Sequence, residues 1–457
     1  MLALASRYLS RIQAARIMNR RQAIIGGAGC LTAAGIAAAR IRVPATPSQR
    51  SDKLTGQTVN LRDYCAADGQ HVDTYDYQAL LNRQPSTIIY PDNAILTLDR
   101  SVRLASNQAH IFGSNVRIEA NAKDYALLAT GLTGQNLGKL VQPITRYAQT
   151  IRLDAVPDVG PGDIIVLTDL RDPAAIRTDI NIVHSIQGSS IFTRYPIGRA
   201  FVTDQFRIYH VYDPAQNITF RGDLTAINNH PSGGIMRFVY ASNVEIEGIT
   251  ISDCGYIGMS FENSIGGKFD KIKIHSSGAS GLGFRTSKLI KVNDFIAQGI
   301  RSDEALTFYD NVSHAYASKL DIRQYTFKER NKGETAGNNI LIDMECSNIN
   351  IEKVKCVGSS TYNVMIHNNC DNCSINEFDL RRSNLGGIRI SKNSNGNNIG
   401  QGLISDVLDM KDAEANKNVS GISIGKSCSG TVISKSINFE RIAAGNRIIR
   451  WQDVPAR

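Results

Sequence analysis

Two neighbouring carboxylates, Asp303 and Glu304, open the segment Ser302-Asp-Glu-Ala-Leu-Thr-Phe308. A pair of carboxyl groups supplies the general acid and the general base of glycoside hydrolysis, and inverting enzymes hold the pair roughly 6.5–9.5 Å apart. Either acid could form such a pair with Asp343 or with Glu262 if the fold brings these positions together. The first chemistry that fits these residues is therefore acid–base hydrolysis by paired carboxyl groups.

The same part of the chain also holds the groups of a lyase. Elimination from a uronic acid needs a cation beside the substrate carboxylate and a base that removes the C5 proton. Arg285 or Arg389 could be the cation, and Tyr309 or His367 the base. From the residues alone, hydrolysis and elimination both stay open.

Neither chemistry requires a cofactor. Calcium is an option near Asp303 and Asp343, but the sequence has no dedicated calcium-loop motif. Cys370 and Cys373 are spaced like metal ligands, yet no second pair follows at ligand spacing, so a structural role is favoured.

An internal repeat predicts the elements that would position these side chains. An apolar marker residue in a short strand recurs at spacings of 23, 23, 24, 34, 24, 24, 34 and 25 residues. Such a period, without a helical pattern, is typical of one coil of a parallel β-solenoid, whose stacked coils bury a continuous core. The two long spacings indicate loop insertions of about ten residues, one of them around 327–335. The markers are Phe238, Phe261, Phe284, Phe308, Ile342, Ile366, Ile390, Ile424 and Ile449.

The repeat assigns side chains to faces. Because side chains alternate along a strand, the residue after each buried marker should point outward, with neighbouring coils roughly 4.8 Å apart. This column includes Glu262, Arg285, Tyr309, Asp343 and His367, and we call it the polar strip. A sugar-binding groove is one interpretation of the strip, and the other is an ordinary polar, solvent-facing column.

Upstream of the repeat, the sequence predicts a strand and a Gly turn over Val59–Gly69, a capped amphipathic helix over Asp73–Leu81, and a strand over Ile88–Asp92. In this order of elements the chain resembles the pectate-lyase-like proteins, including rhamnogalacturonase, epimerase and phage tailspike types. This resemblance implies an all-β, right-handed parallel β-helix whose N-terminal end is capped by a helix. We expect a cap and first coils over 51–139, a β-rich insertion or early coils over 140–215, and regular coils over 216–457.

A narrower resemblance concerns the polygalacturonases, whose catalytic Asp pair precedes the strand that here carries Phe308. Asp303 and Glu304 match that pair, and Arg389 with Lys392 resembles the family's Arg-Ile-Lys segment, one coil further along than expected. Two positions depart from the family, where Ser280 stands for an Asp and Asn338 for a His.

The resemblances imply an enzyme that cleaves an extracellular polysaccharide. In this interpretation Glu262, Arg285, Arg389 and Lys392 bind the substrate. Two alternatives remain: a non-catalytic glycan-binding β-helix or adhesin, and a polysaccharide epimerase. Tailspike-type proteins often trimerise, so the protein is expected to be a monomer or a homotrimer.

The charge distribution predicts export. The chain has a formal net charge of +9, but residues 1–50 contain eight Arg and no acidic residue, which leaves the remainder near neutral. A nucleic-acid partner is therefore not expected. Arg20-Arg21 precedes a short Gly/Ala-rich apolar run that resembles a bacterial twin-arginine signal, which predicts a periplasmic or extracellular protein that meets the membrane only through this signal. An uncleaved anchor is the alternative, and Met18 is a second candidate start.

Overall fold

The computed structural model describes residues 53–64, 70–170, 177–203, 205–324, 337–407, 419–442 and 448–451. The predicted export signal over 1–50 and the predicted insertion at 327–335 lie outside the described residues. Within the described ranges, no helix is long and apolar enough to cross a bilayer.

Two long sheets of parallel strands form the body of the protein, and each coil contributes to both. The short-strand sheet contains β5 (Val102–Arg103), β7 (Tyr125–Thr130), β15 (Gly234–Val239), β17 (Met259–Glu262), β19 (Leu282–Arg285), β21 (Leu306–Tyr309), β23 (Ile340–Asp343), β25 (Tyr362–His367), β27 (Gly386–Ile390), β29 (Ser420–Gly425) and β32 (Ile448–Trp451).

The long-strand sheet contains β1 (Thr58–Asn60), β2 (His71–Asp73), β3 (Thr87–Tyr90), β4 (Ile95–Leu98), β6 (Ala109–Ala120), β14 (Ala215–Asn228), β16 (Ala241–Asp253), β18 (Ile265–Ile274), β20 (Lys288–Gln298), β22 (Ser313–Arg323), β24 (Ser347–Ser359), β26 (Ser374–Ser383), β28 (Asn398–Val407), β30 (Val432–Ile433) and β31 (Ile437–Ile442). The predicted fold class, a right-handed parallel β-helix, is confirmed.

The second and third strands predicted for each coil form one continuous, bent strand. In β16 the bend lies at Gly248, whose φ is +78°. A Cβ at this position would lie 2.2 Å from the carbonyl oxygen of Gly222 in the neighbouring coil. Glycine is therefore required here both by the left-handed backbone and by the close approach of the two coils.

The marker residues form the predicted internal ladder. Pairing runs in register from Phe238 through each marker to Ile424, and all of these side chains are buried. The rings of Phe284 and Phe308 stack, with centroids 5.4 Å apart. The last marker is wrong by one residue, because Ile424 pairs with Arg450 while Ile449 pairs with Ser423. The last coil is thus one residue longer than its apolar pattern indicated.

Four residues after the markers, buried side chains satisfy backbone carbonyl groups of the turns. The Cys346 thiol donates to the backbone carbonyl oxygen of Asp343 at 3.1 Å, and the Cys370 thiol donates to that of His367 at 2.8 Å. In the next coil the Ser394 hydroxyl donates to the backbone carbonyl oxygen of Ser391 at 2.8 Å. Cys346 and Cys370 thus occupy equivalent turn positions in successive coils, and both are free thiols with a local structural role.

The predicted N-terminal helix is present as α1 (Thr74–Asn82), after a short 3₁₀ turn at Leu61–Tyr64. The carboxylate of Asp73 caps it by accepting a hydrogen bond from the Asp76 amide at 2.9 Å. Tyr77, Leu80 and Leu81 are buried, and the helix packs on β4 and β5. The helix therefore covers apolar side chains in the first coils.

An antiparallel side sheet interrupts the coils, with strand order β8-β13-β10-β11-β12-β9. Its strands are β8 (Leu132–Asn136), β9 (Thr150–Arg152), β10 (Ile164–Asp169), β11 (Arg177–Gln187), β12 (Ser190–Thr193) and β13 (Phe206–Asp213). Buried ion pairs attach it to the β-helix, among them the ammonium of Lys288 and the carboxylate of Asp179 at 3.1 Å, both fully buried.

Candidate functional site

A cavity of about 520 Å³ opens on the short-strand sheet, and we call it the cleft. Outward-facing residues of β17, β19 and β21 form its floor, including Glu262, Arg285 and Tyr309. The turns that enter β19 and β21 contribute Ser280, Asp303 and Glu304. Residues 123–125, Ser232, Tyr256 and Ile257 also line it. Strand alternation thus points carboxylates, guanidinium groups and aromatic rings into one concave surface.

The polar strip has the predicted register. Glu262 pairs with Arg285, Arg285 with Tyr309, Tyr309 with Asp343, and Asp343 with His367. Only the first three line the cleft. The structure therefore divides the strip into a cleft half and a distal half.

The acidic pair lies in the cleft beside the two positions that depart from the polygalacturonase pattern. The hydroxyl of Ser280 donates to Oδ2 of Asp303 at 3.3 Å. The side-chain amide of Asn338 donates to Oε1 of Glu304 at 3.2 Å, and Glu304 is only 1% exposed. Neutral hydrogen-bond donors thus replace the ionisable Asp and His that the resemblance implied at these positions.

Glu262 is held in its ionised form by a bidentate pair. Nε and Nη2 of Arg237 donate to its two carboxylate oxygens at 3.0 and 2.9 Å, and the Ser260 hydroxyl donates to Oε1 at 2.6 Å. Burial alone would raise the pKa of Glu262, but the charge and hydrogen bonds of Arg237, helped by Ser260 and Arg285, lower the pKa below its usual value.

Arg285 is paired with a buried carboxylate behind the floor of the cleft. Its Nε lies 3.2 Å from Oδ2 of Asp310, and Oδ1 of Asp310 lies 2.7 Å from Nη2 of Arg199, a residue of the side-sheet region. Arg199 is 1% exposed and also contacts Glu345 at 2.9 Å. Burial would raise the pKa of Asp310, but the charges of Arg199 and Arg285 outweigh it and lower the pKa.

Tyrosine rings complete the cleft. Tyr125 and Tyr256 meet edge to face with centroids 6.2 Å apart, and the guanidinium carbon of Arg237 lies 5.7 Å from the centre of the Tyr125 ring. Burial raises the pKa of Tyr125 well above its usual value and that of Tyr256 to about 12, so both are neutral hydroxyl groups at physiological pH.

Several of these cleft residues were not predicted as site residues. Arg237 stands in the column before the markers, where register alone could have identified it. Tyr125 lies in β7, which pairs with β15 across more than a hundred intervening residues. No periodic pattern connects β7 to the regular coils, so Asp124 and Tyr125 had no sequence signal.

The distal half of the polar strip lies outside the cleft. Asp343 is 5% exposed and accepts hydrogen bonds from the Met344 amide at 2.8 Å and from the Asn368 side chain at 2.6 Å. Nδ1 of His367 lies 2.5 Å from the hydroxyl oxygen of the buried Ser391. These contacts are local to the turns and to the next coil.

The remaining predicted substrate-binding residues also lie beyond the cleft. The guanidinium carbon of Arg389 lies 5.4 Å from the centre of the Tyr362 ring. Lys392 is partly exposed in a turn with φ of +53°. The structure thus gathers Asp303, Glu304, Tyr309, Glu262 and Arg285 in one place and leaves out Asp343, His367, Arg389 and Lys392.

In the part of the chain that the structure describes, no group of three or more His, Cys, Asp or Glu side chains is placed to hold a metal ion. The suggested calcium site near Asp303 and Asp343 is not tested by this finding and stays a sequence-based suggestion.

No family model and no curated protein matches the sequence. Among solved structures, the chain is similar to a Pseudomonas phage phi297 tailspike, with a TM-score of 0.51 at 10% identity over 85% of this chain and 76% of that one. It is also similar to the tailspike of Acinetobacter baumannii bacteriophage AP22, with a TM-score of 0.46 at 12% identity over 87% and 76% of the two chains. A third similar structure is the mannuronan C-5 epimerase AlgE6 A-module of Azotobacter vinelandii, with a TM-score of 0.42 at 10% identity over 87% and 100%.

Identities this low concern the fold alone. The chain has the right-handed parallel β-helix fold of the phi297 tailspike, which is the fold that its resemblance to the pectate-lyase-like proteins implied.

Proposed function

We propose that this protein is an exported enzyme that hydrolyses glycosidic bonds of an extracellular polysaccharide in the cleft. One observation carries the proposal: a single concave surface holds the acidic pair Asp303 and Glu304, a third carboxylate at Glu262, and the rings of Tyr125, Tyr256 and Tyr309. Sugar sites combine aromatic faces, against which pyranose rings pack, with a few polar groups that fix orientation. Export rests on the leader over residues 1–50, with its twin-arginine-like pair.

The acidic pair would perform the acid–base chemistry. One carboxyl group protonates the glycosidic oxygen of the leaving sugar, while the other, as carboxylate, takes a proton from the attacking water. Asp303 and Glu304 enter the cleft from the turn before β21, each held by a neutral donor, Ser280 or Asn338.

Glu262 has a different role in this proposal. Both of its oxygens accept hydrogen bonds from Arg237, so it is a fixed negative charge rather than a proton carrier. A fixed carboxylate stabilises the positive charge that develops on the sugar ring in an oxocarbenium-like transition state.

The test uses the mature protein with a panel of polysaccharides. New reducing ends without an absorbance of unsaturated uronates are the expected result. Asp303→Asn and Glu304→Gln should each lower kcat by roughly a thousandfold or more, because acid–base groups contribute about 10²–10⁴ each. The matched control is Glu119→Gln. Glu119 is an exposed residue of β6 outside the cleft, so this variant should keep full activity.

Two results would overturn the proposal in different ways. Formation of unsaturated uronates would show a lyase. Glycan binding without any product, together with unchanged binding by the Asp303 and Glu304 variants, would show a binding protein of the adhesin class.

A further inference from the structure

The two guanidinium groups of the cleft, those of Arg237 and Arg285, are already paired with protein carboxylates. Arg237 forms the bidentate pair with Glu262 at 3.0 and 2.9 Å, and its side chain is 13% exposed. Arg285 pairs with Asp310 at 3.2 Å, and its side chain is 23% exposed. A substrate carboxylate that approached either guanidinium would have to compete with a carboxylate that is fixed and partly or fully buried.

Carboxyl groups outnumber cations in the lining of the cleft. Lys123, Arg237 and Arg285 are its three cationic side chains, and Lys123 is exposed at the rim. Four carboxyl groups line it, from Asp124, Glu262, Asp303 and Glu304, and the proposed hydrolysis keeps one of the last two protonated. The lining therefore has no net positive charge that would attract an anionic ligand.

Asp310 neutralises the charge of Arg285, which is then less available to a ligand. It is 3% exposed, and its second oxygen is held at 2.7 Å by Arg199 from the side-sheet region. Arg199 in turn contacts Glu345 at 2.9 Å. A row of alternating charges thus runs from the side sheet to the floor of the cleft.

Resting on the function proposed above, we infer that the cleft takes a polysaccharide of neutral or amino sugars and rejects polyuronates, and that Asp310 determines this specificity by neutralising Arg285. The ammonium group of an amino sugar can pair with carboxylates of the cleft, and a neutral pyranose can pack against the tyrosine rings.

The experiment measures by affinity electrophoresis how strongly a polysaccharide in the gel retains the full mature chain. One set of gels contains a β-glucan, a galactomannan or partly acetylated chitosan, and the other contains polygalacturonate, alginate or hyaluronan. We expect retention by at least one neutral or amino polymer and at least tenfold weaker retention by the uronate polymers. Asp310→Asn should raise affinity for a uronate polymer by about tenfold or more, because it releases Arg285 while Arg199 keeps Glu345.

Controls separate this effect from net charge and from unfolding. Asp406→Asn removes the same charge from an exposed pair with Arg441 on the long-strand sheet and should not change uronate affinity. If Asp310→Asn does not fold, Glu262→Gln releases Arg237 instead and leaves the Arg285–Asp310 pair intact.

Each outcome decides one statement. Retention of the wild type by a polyuronate, lost when the cleft is blocked by Gly283→Phe, overturns the specificity but leaves a carbohydrate-active cleft. Unchanged uronate affinity in both releasing variants overturns the role of the paired carboxylates. Absence of retention by every polymer, with no product, overturns the proposed function, and this inference with it.

Discussion

The cleft half and the distal half of the polar strip share one strand register but have different surroundings. Glu262 and Arg285 face a cavity that is also lined by 123–125 and Tyr256. Asp343 and His367, two and three coils beyond Arg285, are hydrogen-bonded to turn residues and to Ser391. Register therefore determines which way a side chain points, while neighbours from other parts of the chain determine whether it faces substrate or packing.

The largest expected contrast comes from filling the cleft. Gly283 lies on its floor in the column before the markers, and a Cβ there would meet only the Met259 oxygen, at 3.9 Å. Gly283→Phe should therefore fold normally and lower saccharide affinity by roughly 100-fold or more, about 2.7 kcal/mol. Isothermal titration calorimetry measures the affinity.

Met365→Phe is the matched control for that variant, because Met365 occupies the same column in the distal half. It should bind saccharide as the wild type does. Equal losses of affinity in both variants would contradict the division of the strip.

The second prediction concerns stability in the distal half. Asp343→Ala leaves the Met344 amide and the Asn368 side chain without their acceptor in a partly buried turn. The free energy of unfolding should fall by about 1 kcal/mol, the usual net contribution of an intramolecular hydrogen bond. Urea denaturation gives this value, and saccharide affinity measured below the transition should stay unchanged. A large loss of saccharide affinity in the folded variant would show that Asp343 belongs to the binding site.

The third prediction uses pH. The folded-state pKa of Glu262 is lowered, so the pairing with Arg237 contributes stability above the unfolded pKa of roughly 4.3, and this contribution is lost as the pH falls through the lower folded value. Wild type should therefore lose stability below about pH 4 more steeply than Glu262→Gln does. Parallel urea titrations at pH 6, 4 and 3 compare the two slopes, and identical slopes would show that the pair is not stabilising.

The smallest effect is expected at His367. His367→Ala removes the hydrogen bond with the Ser391 hydroxyl outside the cleft. Its kcat/KM on a cleaved polymer should change by less than about threefold, well under the 1.4 kcal/mol of a tenfold effect. Steady-state kinetics checks this, and a loss comparable with that of Glu304→Gln would return His367 to the catalytic residues.

Much of the β-helix could be predicted, because its signal is local and repeated. Each coil repeats the apolar marker, and the ladder from Phe238 to Ile424 pairs in the predicted register. Among the markers, the register failed at Ile449, because the last described coil is one residue longer than its apolar pattern indicated. The capped helix was predictable for the same reason, since Asp73 and the apolar face of Thr74–Asn82 lie within one short segment.

The site could be predicted only in part. Three members of the strip were named from the spacing of the repeat, Asp303 and Glu304 were named from the resemblance to polygalacturonases, and all five line the cleft. Tyr125 and Asp124 were not named, because they arrive through the pairing of β7 with β15 across the whole side sheet. Asp310 was not named either, since its importance depends on Arg199, a residue more than a hundred positions away.

By itself, the sequence determined the solenoid, its register and the outward direction of the polar strip, because alternation and period are properties of consecutive residues. Only the tertiary structure decided which coils face a cavity and which charges remain for a ligand. Those features depend on contacts between distant segments: β7 against β15, Arg237 against Glu262, and Arg199 against Asp310. Contacts between distant segments leave no periodic pattern in the sequence. The sequence therefore could not show that one half of the polar strip lines a cleft while the other half forms hydrogen bonds with turn residues.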